Sequence, residues 1–61
     1  MTKDSITNEQ IKALGVRAAI AGDAPLVELC ERAQFAEPGS AARARCADTL
    51  NRIDRGELLH L

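Results

Sequence analysis

Cys30, Cys46 and His60 are the side chains of this sequence best suited to act as a nucleophile, a base or a soft metal ligand. Nucleophilic catalysis needs a His, Asp, Glu or Lys held beside a Ser, Cys or Thr. His60 is the lone histidine and lies outside any helical pattern, while both cysteines fall on apolar stripes of expected helices. A reactive thiol needs exposure and a lowered pKa, so two inert core thiols are the stronger reading and a Cys–His pair the weaker. Zinc asks for three or four ligands, and its structural sites usually show closely spaced cysteines. Cys30 and Cys46 are far apart, and adding His60 leaves the set short. Glu28 and Glu31 share the solvent side of one helix with Arg32, which reads as a solvated face rather than an acid–base pair. Gly15, Gly22, Gly39 and Gly56 are isolated from one another, so no loop is built to cradle phosphate. No catalytic residue, cofactor or metal is expected, and the chain does not read as an enzyme. A redox or metal protein using Cys30, Cys46 and His60 is the third-ranked reading.

Arginine offers a different kind of chemistry. Arg43, Arg45, Arg52 and Arg55 all fall in the last expected helix. Arg45, Arg52 and Arg55 share one outward stripe, with Asp48 interleaved at ion-pair spacing. Such a row suits phosphates or an acidic protein surface equally well. Arg43 and Arg45 also stand near the start of that helix, where positive charge opposes the dipole, which hints at a use beyond helix stability. A net charge of −1, the lack of Asn, Gln or Lys beside these arginines on the stripe, and the nearby Asp48 and Asp54 weigh against nucleic acid. A helix-turn-helix-like DNA-binding regulator stays as the alternative, and a salt-bridged, solvated face is the bland account.

The elements that position these residues follow from punctuation. Sixty-one residues allow one domain, 1–61, with residues 1–5 expected to be a disordered lead-in. With no Trp or Tyr and Phe35 as the sole aromatic, the core must be built from aliphatic residues and Cys. The start lacks the apolar segment of a signal peptide and no run is long enough to span a membrane, so a cytoplasmic protein away from membranes is expected. A first helix over about 8–21 opens with Thr7 as N-cap, Gln10 closing a capping box, and Ile6 and Ile11 at the staple positions. Gly22 stops it, and Asp23 caps a second helix over about 24–36 with Pro25 in its first turn. Leu26, Leu29, Cys30 and Ala33 give that helix an apolar stripe. Glu37-Pro38-Gly39 ends it, and Ser40 caps a third helix over about 41–55 with Ala42, Cys46, Thr49, Leu50 and Ile53 facing inward. After Gly56 comes a short apolar tail with Leu58, Leu59 and Leu61. The expected fold is all-α, a compact three-helix bundle.

The first helix carries two apolar faces. Ile11, Leu14, Gly15 and Ala18 lie on one, with Gly15 permitting close approach of a neighbour; Ala13, Val16 and Ile20 lie nearly opposite. Either the C-terminal tail folds back over the second face, or that face is a protein-binding surface or a homodimer seam. Partner binding is therefore assigned to Val16 and Ile20, with Arg45, Arg52 and Arg55 as its charged component.

Three stretches also resemble a family of very short, largely uncharacterised helical proteins of bacteria, phages and mobile elements. They are Ile6-Thr7-Asn8-Glu9-Gln10-Ile11-Lys12-Ala13-Leu14, then Ala18-Ala19-Ile20-Ala21-Gly22-Asp23 followed by Leu26-Val27-Glu28-Leu29-Cys30-Glu31-Arg32-Ala33, and last Ala41-Ala42-Arg43-Ala44-Arg45-Cys46-Ala47. They cover most of residues 6–47, and the stretch from Gln34 to Pro38 is longer than the spacer usual in that family. The resemblance brings no catalytic residues. It implies a phage or mobile-element accessory protein that binds a host or defence protein stoichiometrically, and by analogy inhibits a complex such as a CRISPR effector.

Overall fold

Three helices form where the caps and stops place them: α1 (Asn8–Ala21), α2 (Ala24–Phe35) and α3 (Ala41–Asp54). The computed structural model describes residues 6–61, and the lead-in at 1–5 lies outside the described residues. α1 opens with the reciprocal capping box. The Thr7 hydroxyl accepts from the Gln10 amide at 3.1 Å, and the Gln10 side-chain oxygen accepts from the Thr7 amide at 2.9 Å. Ile6 and Ile11 are both buried at the foot of this turn. Two otherwise unpaired donors are thereby satisfied before any tertiary contact is made.

The α1–α2 junction has no loop. Gly22 takes the left-handed conformation (φ 77°), and its amide and that of Asp23 donate to the carbonyls of Ala19 and Ala18. Asp23 then caps α2, its carboxylate accepting from the Leu26 amide at 3.3 Å. One residue thus closes the first helix and opens the second. The same closing pattern recurs after α3, where Glu57 and Gly56 donate to Arg52 and Ile53, both at 2.9 Å. α2 and α3 each stop one residue short of the expected ends because Ala36 and Arg55 are cap residues.

α1 packs chiefly on α2, α2 packs on α3, and α1 meets α3 least. The radius of gyration is 10.5 Å, matching the roughly 10.5 Å expected of a tightly packed chain of this length. All four stripe residues of α2 are buried, as are Ile11, Leu14 and Ala18 of α1. Gly15 is what lets these two helices close. A Cβ there would sit 3.3 Å from the Cys30 Cβ, tighter than ordinary packing.

α3 turns slightly from the expected orientation. Arg43 and Ala47 join Cys46 in the interior, whereas Ala42, Thr49, Leu50 and Ile53 are only half-buried. Arg43, one of the arginines read as a surface charge, is 8% exposed. Its guanidinium donates to Asn8 Oδ1 at 2.8 Å, to the Ala33 carbonyl at 3.2 Å and to the Ile6 carbonyl. Nε has no partner among the described residues. The clamp joins the start of α1 and the last turn of α2 to the first turn of α3. Ala33 lies at the electronegative end of α2, which favours a cation there.

The tail folds back, but away from the second face of α1. Leu61 packs against the core and its main-chain oxygen accepts from Arg17, while His60 Nε2 lies 3.2 Å from Asp23 Oδ2. The tail straps α3 to the α1–α2 junction and leaves Val16 and Ile20 uncovered.

Arg43→Ala should lower stability by about 3 kcal/mol, since it strips a charged donor from several buried oxygens. Arg43→Lys should recover only part of that, because one ammonium cannot reproduce the planar fork. Urea unfolding followed by circular dichroism reads both; an unchanged midpoint for Arg43→Ala would show the clamp to be dispensable.

Candidate functional site

The five residues assigned to partner binding separate into two places. Val16 and Ile20 stand on the outer face of α1, 60% and 83% exposed. Arg45 and Arg52 line an open groove of about 670 Å³ between α2 and α3, and neither Val16 nor Ile20 borders it. Leu26 and Leu29 belong to the groove's α2 wall, Asp48 and Thr49 to its α3 wall, and Leu58, His60 and Leu61 come from the tail. Arg55 is outside the groove lining and reaches Glu57 instead.

Glu57 changes the character of the arginine stripe. Arg55 Nε donates to one of its carboxylate oxygens at 2.7 Å and Arg52 Nε to the other at 3.3 Å. The hydrogen bond from Arg55 holds the Glu57 carboxyl below its ordinary pKa, with Arg52 adding to the effect. The turn at Gly56 brings this carboxylate back alongside the last turn of α3. Two of the three stripe arginines therefore have a partner already. Arg45 has no ion-pair partner among the described residues, and the same holds for Arg32 across the groove. Glu28 and Asp48 line the same groove, so its lining carries charges of both signs.

Several functional features were not legible in the chain. Arg32 sits four residues after Glu28 and reads as surface, with nothing in the spacing to place it opposite Arg45. Glu57 was detectable in principle, five residues beyond Arg52 and just past a glycine stop. Phe35 and Leu59 are 89% and 90% exposed and add separate apolar points to the surface.

The cysteines lie at the opposite extreme. Cys30 and Cys46 are free thiols, 1% and 0% exposed, and both belong to the one buried core cluster. Burial, then the neighbouring Cys46, push the Cys30 thiol up to about 12. Burial also raises Cys46, although Arg43 and Arg45 pull in the other direction. Among the described residues no group of three His, Cys, Asp or Glu is placed to hold a metal ion. No helix among them is long and apolar enough to cross a membrane.

No family model, curated protein or solved structure matches this chain.

The thiols generate a pH dependence of known sign. Their folded-state pKa values are raised, so the stabilisation from keeping them neutral is complete below the ordinary thiol value of 9.0. It is lost as pH climbs from there toward about 12. The urea midpoint should be level between about pH 7 and 8.5 and fall above about pH 9, and replacing both cysteines by Ala should flatten that fall. An equal fall in the doubly substituted protein would assign it to other groups.

Proposed function

We propose that this protein acts without catalysis, as an accessory protein that binds another protein stoichiometrically through the outer face of α1. The observation that carries this reading is the exposure of Val16 and Ile20 in a chain with so little core to spare. Burying an aliphatic side chain of this size contributes roughly 1.5–3 kcal/mol, which a small domain cannot easily forgo. Nor does the helix explain them, because β-branched residues are weaker helix formers than Ala, Glu or Lys at an exposed position. Their use is therefore sought outside the monomer. Arg45, unpaired among the described residues, is the main charged contributor, while Arg52 and Arg55 would first have to release Glu57.

The setting in a phage or mobile element, and a host or defence protein such as a CRISPR effector as target, come from the resemblance of residues 6–47. Pairing of Arg52 and Arg55 with Glu57, and burial of Arg43, leave few guanidiniums for a phosphate backbone, so the DNA-binding alternative gains nothing from the geometry.

Val16→Asp and Ile20→Asp should each melt within about 4 °C of the parent, since neither side chain is in the core. In paired affinity captures from a host lysate, at least one protein held at stoichiometric yield by the parent should be lost from both variants. Equal recovery by parent and variants would remove the α1 face from the interaction. Unfolding of either variant would place that face in the core, and loss of a self-dimer alone would make the partner a second copy. A gel shift at low salt, weakened by Arg45→Ala, would instead favour DNA.

A further inference from the structure

We infer that the protein assembles with itself head-to-tail, the outer face of α1 of one copy seating in the α2–α3 groove of a second copy. The inference rests on the reading of that face as a protein-binding surface, and it names what the face binds. Glu9, Lys12, Val16 and Ile20 are all exposed and follow one another at three- and four-residue spacings, so they form a single stripe down α1. From the first turn onward the stripe runs acid, base, then aliphatic.

The groove presents the opposite order. With so short a connection between Phe35 and Ala41, α2 and α3 pack antiparallel. The bond from Arg43 to the Ala33 carbonyl sets the first turn of α3 beside the last turn of α2, and His60 meets Asp23 at the far end. Arg32 and Arg45 therefore stand together nearest the connection, neither with an ion-pair partner among the described residues. Glu28 and Asp48 follow about one turn further on, and Leu26, Leu58 and Leu61 lie toward the tail. Base, acid and aliphatic is the complement of the α1 stripe, and both advance by about 5.4 Å per helical turn. A second copy laid with the first turn of α1 at the connection end sets Glu9 against Arg32 and Arg45, and Lys12 against Glu28 and Asp48. Val16 and Ile20 then cover the leucines. Reversed, the helix would put Ile20 between guanidiniums and Glu9 on the apolar end. Packing α1 on α1 pairs the charges no better: parallel copies set Glu9 and Lys12 against themselves, and antiparallel copies set them against the aliphatic turns. Every copy carries both surfaces, so the contact is heterologous and either propagates or closes into a ring.

Sedimentation equilibrium of the full chain reads the assembly. The mean mass of the parent should rise above the 6.5 kDa of one chain between about 10 μM and about 1 mM protein, the range of a modest interface. Val16→Asp blocks the α1 face, and Arg32→Glu combined with Arg45→Glu blocks the groove, so each variant alone should stay at the mass of one chain. Mixed in equal amounts, the two should form a 1:1 pair and stop there, because one intact face meets one intact groove. Circular dichroism checks each fold beforehand; if either variant is unfolded, Lys12→Glu replaces the first and Arg45→Glu alone the second. A parent that stays a single chain throughout that range overturns the inference. So does a groove variant that self-associates like the parent, or a folded pair of variants that does not combine. If the parent stays a single chain while Val16→Asp still loses a stoichiometric protein from a host lysate, self-assembly falls and the α1 face keeps its role. If neither association is seen, both fall.

Discussion

The buried guanidinium of Arg43 is the interaction on which the arrangement of the helices depends. A cation removed from water is tolerated only when its donors are occupied. Here the partners are uncharged oxygens from three places: the Ile6 carbonyl, the Asn8 side chain and the Ala33 carbonyl. Hydrophobic contact alone is indifferent to small rotations of one helix over another. A planar fork is not, because turning α3 would strand buried carbonyls as well as the charge. α1 and α3 share little direct packing, so the clamp supplies a link between them that side-chain burial does not.

Local chemistry was readable from the chain. Thr7, Gln10, Gly22, Asp23, Ser40 and Gly56 each act as expected, because a cap or stop is decided by a residue and its neighbours within one turn. The stripe of α2 was equally readable, since Leu26, Leu29, Cys30 and Ala33 agree in spacing and in type. Arg43 was missed because spacing and type disagree there. Arg43, Cys46, Ala47 and Leu50 fall at i, i+3, i+4 and i+7, the spacing of an inward face, but a charged residue defaults to the outside. The path of the tail was not readable at all. Leu58, Leu59 and Leu61 are all apolar, and only the folded backbone decides that Leu61 packs while Leu59 faces water. The α2–α3 groove depends on how two helices cross, which no single stretch encodes.

The surface divides into parts of different character. The outer face of α1 is apolar and unpaired, the α2–α3 groove is lined by charges of both signs, and the turn after α3 holds its arginines against one carboxylate. The interior holds the only cysteines, in a place from which they cannot act on anything outside the protein.

The loopless junction at Gly22 and Asp23 also bears on how quickly the fold can assemble. Bringing two helices together costs chain entropy that grows with the length of the segment between them. Here that segment has almost no length, and α1 and α2 hold the most extensive interface in the molecule. The contact from Arg43 to Ile6, by contrast, spans 37 positions. A topology so weighted toward sequence-local pairs belongs with rapidly folding helical domains. The long separations are closed by few contacts, where α3 brings Arg43 to the start of α1 and the tail brings Leu61 to Arg17.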